Sequence, residues 1–282
     1  MKRILLIAAV ALLCCFRAYG FRTPAVPEYM IFAGDTVRFD SDYMRERMDR
    51  EIMTFCYMHT TSTLMLKRSG RYFKMISPIL HSCGVPDDLK YLMVIESNLD
   101  PLAVSATGAS GLWQFTRATA KDYGLEISED VDERFNIEKE TRAACTFLKK
   151  YYEQYGDWML VAAAYNAGPN GITARIEQQR VHSAFDLFLK EETSRYMFRL
   201  MAAKMMFENP YDFGFDVQAG DYYRYVAPQD VVSVKTPIAD LVDFAEAHGV
   251  TYADIRRENP WLRSSKLSNK SGKTYFIRIP RK

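Results

Sequence analysis

Leu89, Leu92 and Met93 occupy positions i, i+3 and i+4 of one helical face, and the next position on that stripe is Glu96. A carboxylate pressed against an apolar face loses the hydration that its charge depends on, so its pKa rises. Such a group can hold a proton near neutral pH and release it, which is the behaviour of a general acid. A glutamate at a fraying helix end, turned to water, is the other reading of the same position. Ser97 follows, with Asn98-Leu99-Asp100-Pro101 after it.

Two further segments carry groups suited to a sugar. In Gly108-Ala109-Ser110-Gly111-Leu112-Trp113-Gln114-Phe115 the glycines admit close backbone approach, Gln114 offers an amide and Trp113 an apolar plate. In Ala162-Ala163-Ala164-Tyr165-Asn166-Ala167-Gly168 the alanines allow close helix packing, with polar tips from Tyr165 and Asn166 at the end. Read separately, these are a tight turn with a surface amide and a buried helix. Ordinary glycoside hydrolysis needs a second carboxylate. Asp100, Asp130, Asp132 and Glu133 are candidates, although Asp100 before Pro101 reads as a turn residue and the acidic run 128–133 as a solvated loop.

The elements that must hold these groups are helical. Asp42 to Arg68, Arg71 to Ser82 and Asp87 to Ser97 read as successive amphipathic helices, with a stop at Gly84-Val85-Pro86. Thr116 caps a short helix that Gly124 ends, and Glu138 to Tyr155 is a longer one stopped by Gly156. Asp157 caps the helix bearing Trp158, Val161, Ala162 and Tyr165, which the run 167–171 ends. A last helix spans Glu191 to Phe207. Beyond a linker come strands at Val231 to Lys235 and Thr274 to Ile279, enclosing helices at Pro237 to His248 and Tyr252 to Glu258. That β-α-α-β unit is long enough for its own small core.

Taken together, Glu96-Ser97, Gly111-Leu112-Trp113-Gln114, Ala164-Tyr165-Asn166-Ala167-Gly168 and Glu192-Thr193-Ser194-Arg195-Tyr196 resemble the family 23 lytic transglycosylases, most of all the membrane-bound lytic murein transglycosylase D branch. The resemblance runs from about Gly84 to Phe207 and implies a mainly α, goose-lysozyme-like catalytic domain. It implies Glu96 as the catalytic acid/base, with Ser97 hydrogen-bonding near it or to substrate. Gln114, Tyr165 and Asn166 would line the cleft beside the scissile bond, and Tyr196 would support or orient Glu96. By itself Tyr196, in a helix with Phe198, Leu200 and Met201, also reads as core. The implied reaction cleaves the N-acetylmuramic acid–N-acetylglucosamine bond of peptidoglycan without water, leaving a 1,6-anhydro ring, with no cofactor or metal. A hydrolytic muramidase of the same fold and an inactive exported glycan-binding protein are the alternatives.

The C-terminal unit resembles a degenerate LysM, a module that binds N-acetylglucosamine chains. It departs from the pattern at Lys235-Thr236 and in the long segment 263–272. The expected layout is a signal peptide over 1–20, an N-terminal segment over 21–40, a catalytic domain over 41–208, a linker over 209–229 and the LysM-like domain over 230–282.

The signal is read from Lys2 and Arg3, the apolar run Ile4 to Phe16, and small residues at Ala18 and Gly20. It places the protein in the periplasm and leaves peripheral membrane association and oligomeric state open, while Leu13 and Cys14 argue against lipid attachment at Cys14 or Cys15. The remaining Cys56, Cys83 and Cys145 permit at most one disulfide, and helical surroundings favour buried thiols. A net charge of +2 spread along 282 residues gives no basic patch for nucleic acid.

Overall fold

The computed structural model describes residues 22–281, so the leader expected over 1–20 lies outside the described residues. The fold is mainly helical, with two small antiparallel sheets. Strands β1 (Tyr29–Phe32) and β2 (Asp35–Arg38) form a hairpin that the sequence patterning did not announce. Ala33 and Gly34 both take positive φ at its two-residue turn, matching the strand twist. Ala33 N donates to Asp88 Oδ2 at 2.8 Å, and Phe32 and Phe39 enter the main core.

Helices α1 (Asp42–Tyr57) and α2 (His59–Ser82) break at Met58, earlier than expected. Ser62 supplies the reason: its buried hydroxyl donates to the Phe55 carbonyl at 2.7 Å, replacing a lost helical bond. Gly70 does not interrupt α2, because its role is contact. A Cβ there would lie 2.7 Å from Tyr222 Cβ, and Tyr223 N donates to Lys67 O beside it. The segment expected as a linker therefore lies along α2, with Phe213 and Phe215 buried in the main core.

A 3-10 turn (Asp87–Lys90) leads into α3 (Tyr91–Ser97), whose apolar face is buried through Leu92 and Met93. Helix α4 (Arg117–Asp122) is capped by Thr116, and α5 (Ile137–Tyr155) by Asn136, with Gly156 left-handed at its end. Asp157 Oδ1 accepts from Met159 N and Leu160 N to cap α6 (Trp158–Ala167). Gly168 does not end helical structure. Pro169, suited to a first helical position, opens α7 (Pro169–Gln179). Helix α8 (Glu191–Glu208) packs its buried face, including Tyr196, Phe198 and Leu200, into the same core.

The C-terminal unit pairs β3 (Asp230–Val234) with β4 (Tyr275–Ile279), Val232 opposite Ile277, around α9 (Leu241–Ala247) and α10 (Tyr252–Glu258). Its core is shared. Val131 and Phe135 from the preceding domain pack among Ile255, Trp261, Leu262 and Ile277.

Candidate active site

Glu96 sits half-buried in the last turn of α3. Its Oε1 accepts a hydrogen bond from Tyr196 Oη on α8 at 2.6 Å. Burial drives its carboxyl from the ordinary 4.5 up to about 7, with the Glu192 charge acting in the same direction. The Tyr196 hydrogen bond and the Arg199 charge oppose that rise without cancelling it. The phenol of Tyr196 is itself pushed well above its usual value, by burial and then by Glu96. Tyr196 thus stays protonated and donates a hydrogen bond to Glu96.

The backbone after Glu96 is unusual. Asn98 and Leu99 both adopt left-handed φ, at 52° and 54°, so the chain reverses sharply behind the carboxylate. Arg68 holds this turn, donating to Asn98 O at 3.0 Å and pairing with Asp100. Asp100 Oδ1 accepts from Leu102 N, the turn role expected of it. Ser97 is buried and gives its hydroxyl to Met93 O of its own helix at 2.9 Å.

The loop carrying Gln114 is fixed from below by charged groups. Gly111 has φ +83°, and a Cβ on it would lie 1.9 Å from Arg134 O and 2.4 Å from Glu140 Oε2. Only glycine fits there. Trp113 N donates to Glu140 Oε2 at 3.2 Å, and Trp113 Nε1 donates to Thr141 Oγ1 at 3.0 Å. Trp113 is 0% exposed, so it is a core residue and offers no plate to a sugar, contrary to the expectation from its type. Gln114, with φ at 51°, folds its amide back onto Gly111 O and Ala103 O.

Tyr165 Oη donates to Trp113 O at 2.6 Å, joining α6 to this loop. Burial and then the Glu96 and Glu140 charges raise its phenol well above the ordinary value. Phe147 and Phe115 meet its ring edge-on at 5.0 and 6.2 Å. Asn166 follows at the end of α6 and lines a cavity of about 330 Å³ together with Glu192. Glu96, Tyr165 and Tyr196 therefore share one electrostatic neighbourhood, with Gln114 on the loop that Tyr165 holds and Asn166 beside Glu192.

The acidic run is not a solvated loop. Asp130, Asp132 and Glu133 are all buried. Asp132 receives both Nε and Nη2 of Arg134, at 3.0 and 2.7 Å, and Glu133 pairs with Lys139. Arg134 Nη1 in turn reaches Gly108 O at 2.7 Å and Phe115 O at 3.2 Å. Through Arg134, Asp132 braces the Gln114 loop. Asp130 serves the C-terminal unit instead.

Arg134 and Glu140 were missed in the sequence, and Glu192 entered only as the first residue of the motif that ends in Tyr196. Glu140 had a signal, since Glu140, Ala143, Ala144 and Phe147 repeat the i, i+3, i+4, i+7 misfit seen at Glu96. Glu51 does so as well, beside Ile52 and Phe55, and three arginines surround it: Arg195 at 2.7 Å, Arg199 at 3.3 Å and Arg50 at 3.4 Å. The three carboxyl groups, Glu51 and Glu140 fully buried and Glu96 half-buried, differ in their partners, and Glu96 is the one held by a single neutral hydroxyl.

Residues 82–188 match the transglycosylase SLT domain family, and residues 230–282 match the soluble lytic transglycosylase C-terminal LysM-like domain. The chain is 26% identical over 259 residues to membrane-bound lytic murein transglycosylase D of Escherichia coli K12, covering 89% of this chain and 55% of the relative. It is 35% identical over 118 residues to peptidoglycan transglycosylase gp16 of Escherichia phage T7, covering 41% of this chain and 9% of that one. Among solved structures it is similar to the 70 kDa soluble lytic transglycosylase of E. coli, with TM-score 0.43 and 20% identity over 55% of this chain and 27% of that one. The chain spans about half the length of the first of these relatives.

Proposed function

The chain carries a transglycosylase SLT domain and a LysM-like C-terminal domain, and from that premise we propose that it cleaves peptidoglycan glycan strands by a lyase reaction with Glu96 as the single acid/base. The observation that carries this reading is Glu96 itself: poorly hydrated, titrating near 7, and bonded through Oε1 to a phenol that keeps its proton.

In the first step protonated Glu96 gives its proton to the oxygen joining N-acetylmuramic acid to N-acetylglucosamine as that bond breaks, and positive charge builds at the anomeric carbon. The resulting carboxylate is stabilised by the Tyr196 hydroxyl. It then takes the proton of the sugar's own C6 hydroxyl while that oxygen bonds to the anomeric carbon, closing a 1,6-anhydro ring. Protons balance, Glu96 returns to its starting state, and no water enters the product.

An internal hydroxyl has a high effective concentration, so one carboxylate suffices. The hydrolytic alternative requires a second one. Of its candidates Asp132 and Glu133 are bound to Arg134 and Lys139, Asp130 to Ser268 and Asp100 to Arg68, which supports the lyase route. Digestion of purified sacculi followed by mass spectrometry of the released muropeptides tests this. Anhydro products, one water lighter than hydrolysis gives, are expected; reducing-end products would replace the lyase with a muramidase.

We assign the same protein to the cell envelope, where its substrate lies. Among the described residues no helix is long and apolar enough to cross a membrane.

A further inference from the structure

The cavity beside Glu192 has a chemistry that a neutral sugar does not require. One wall is α7, contributing Ile172 and Arg175, and the other is the segment Leu189–Thr193, which brings Lys190. Asn166, which lines it, follows Tyr165, and Glu192 on its rim stands one helical turn before Tyr196, the residue bonded to Glu96. The cavity is therefore an extension of the Glu96 site.

Its walls are held together. Gln179, the last residue of α7, receives Phe188 N on Oε1 at 2.7 Å and gives Nε2 to Phe188 O at 3.0 Å. This paired clasp fixes the chain just before Lys190. Arg175 and Lys190 are exposed, and neither forms a salt bridge among the described residues. Arg175 only shares Nη1 with the neutral Gln178 amide at 3.1 Å.

The two sugars of the glycan backbone carry no charge once the lactyl group of muramic acid is joined to its peptide. The anionic groups of the polymer are then the carboxylates of that peptide. We propose that Arg175 and Lys190 form a subsite for a carboxylate of the peptide borne by N-acetylmuramic acid, so that the enzyme distinguishes peptide-bearing strands from bare ones. This rests on the peptidoglycan reading above, and assigns the specificity within it.

Binding of a soluble N-acetylmuramoyl peptide to the full chain tests it, with free carboxylates in one ligand and carboxamides in the other. A charge-assisted hydrogen bond contributes about 1.5 kcal/mol or more, so the carboxylate form is expected to bind about tenfold tighter. In the Arg175→Gln, Lys190→Gln double variant the two dissociation constants are expected to converge, with Lys190→Gln alone intermediate. Equal binding of both ligands by the unaltered chain, or a ratio preserved in the double variant, overturns the subsite. Product analysis on sacculi is read separately. Cleavage without the ratio removes only the subsite, and the ratio without cleavage removes only the lyase reaction.

Discussion

Tyr196 reaches across 100 residues of sequence to place its hydroxyl 2.6 Å from Glu96 Oε1, so helices α3 and α8 meet at a single shared proton donor. The pairing explains how a carboxyl so poorly hydrated stays poised near 7 and does not become permanently protonated. Burial alone drives the pKa upward, and a neutral donor pulls it back part of the way. Glu51 shows the contrasting arrangement, a buried carboxyl group surrounded by three arginines.

Glu96→Gln is expected to abolish release of muropeptides from sacculi while the chain stays folded. The amide preserves the shape but has no proton to give. Retained turnover in the variant would remove Glu96 from the mechanism.

Stability should change with pH in the same variant. Glu96 titrates higher folded than unfolded, so the native state loses stability as pH rises from 4.5 through about 7. Glutamine avoids that loss. Glu96→Gln should therefore match the unaltered chain at pH 4 and exceed it at pH 9, by up to about 3 kcal/mol on the scale of 1.36 kcal/mol per pKa unit. Denaturant titrations at the two pH values measure this, and identical curves at both would mean that Glu96 is well hydrated.

Catalysis should follow the protonated form. As a general acid in the free enzyme, Glu96 predicts a kcat/KM that falls with a single ionisation near pH 7. Tyr196→Phe removes the bond that holds the carboxyl down, so this limb should move to higher pH. The rate below it should drop by about tenfold, the scale of one hydrogen bond of about 1.4 kcal/mol. A lower rate with an unmoved limb would make Tyr196 a packing residue only.

The helical order and most caps were legible because caps and periodicity are local. Thr116, Asp157 and Gly156 act where their types suggest. Glu96 was legible as a misfit in its own stripe. What could not be read was the long-range pairing that decides each misfit's meaning. Glu51, Glu96 and Glu140 look alike in sequence, and only their partners separate an ion-pair hub, a carboxyl group held by one phenol and a loop anchor. Trp113 was misread for the same reason, since exposure of an aromatic depends on Thr141 and Glu140, far along the chain. Gly70 looked like a break because the contact with Tyr222 that requires it lies outside any local window.

The anchor role of Glu140 is separable from charge. Its Oε2 holds the Trp113 amide while Oε1 has no hydrogen-bond partner among the described residues, and burial pushes its pKa well above the ordinary value. Glu140→Gln should thus be nearly as stable as the unaltered chain. Glu140→Ala, which leaves a buried N–H unpaired, should cost about 2–3 kcal/mol. Gly111→Ala, with a Cβ forced 1.9 Å from Arg134 O at φ +83°, should cost more than about 3 kcal/mol and lower activity through Gln114. Thermal melts of the three variants rank them, and an unaffected Gly111→Ala would contradict the close approach.

The C-terminal unit is joined to the SLT domain by more than a tether. Asp132 N donates to Trp261 O at 2.8 Å, Arg263 N to Asp130 O at 2.7 Å, and Ser268 N to Asp130 Oδ2 at 2.8 Å. Val131 and Phe135, 1% and 4% exposed, are covered by that unit, and Glu126 bonds Tyr275 and Lys273 across the same boundary. Since the segment 126–135 leads to Arg134, which braces the Gln114 loop, removing residues 230–282 should unsettle the catalytic half as well. Exposing two large apolar side chains costs roughly 1.5–3 kcal/mol each, so the truncated chain should melt several degrees lower. Asp130→Ala in the full chain should produce a smaller drop, because it loses the Ser268 bond but keeps the apolar cover. A truncated protein that melts unchanged and digests sacculi at the full rate would show that the boundary does not support the site.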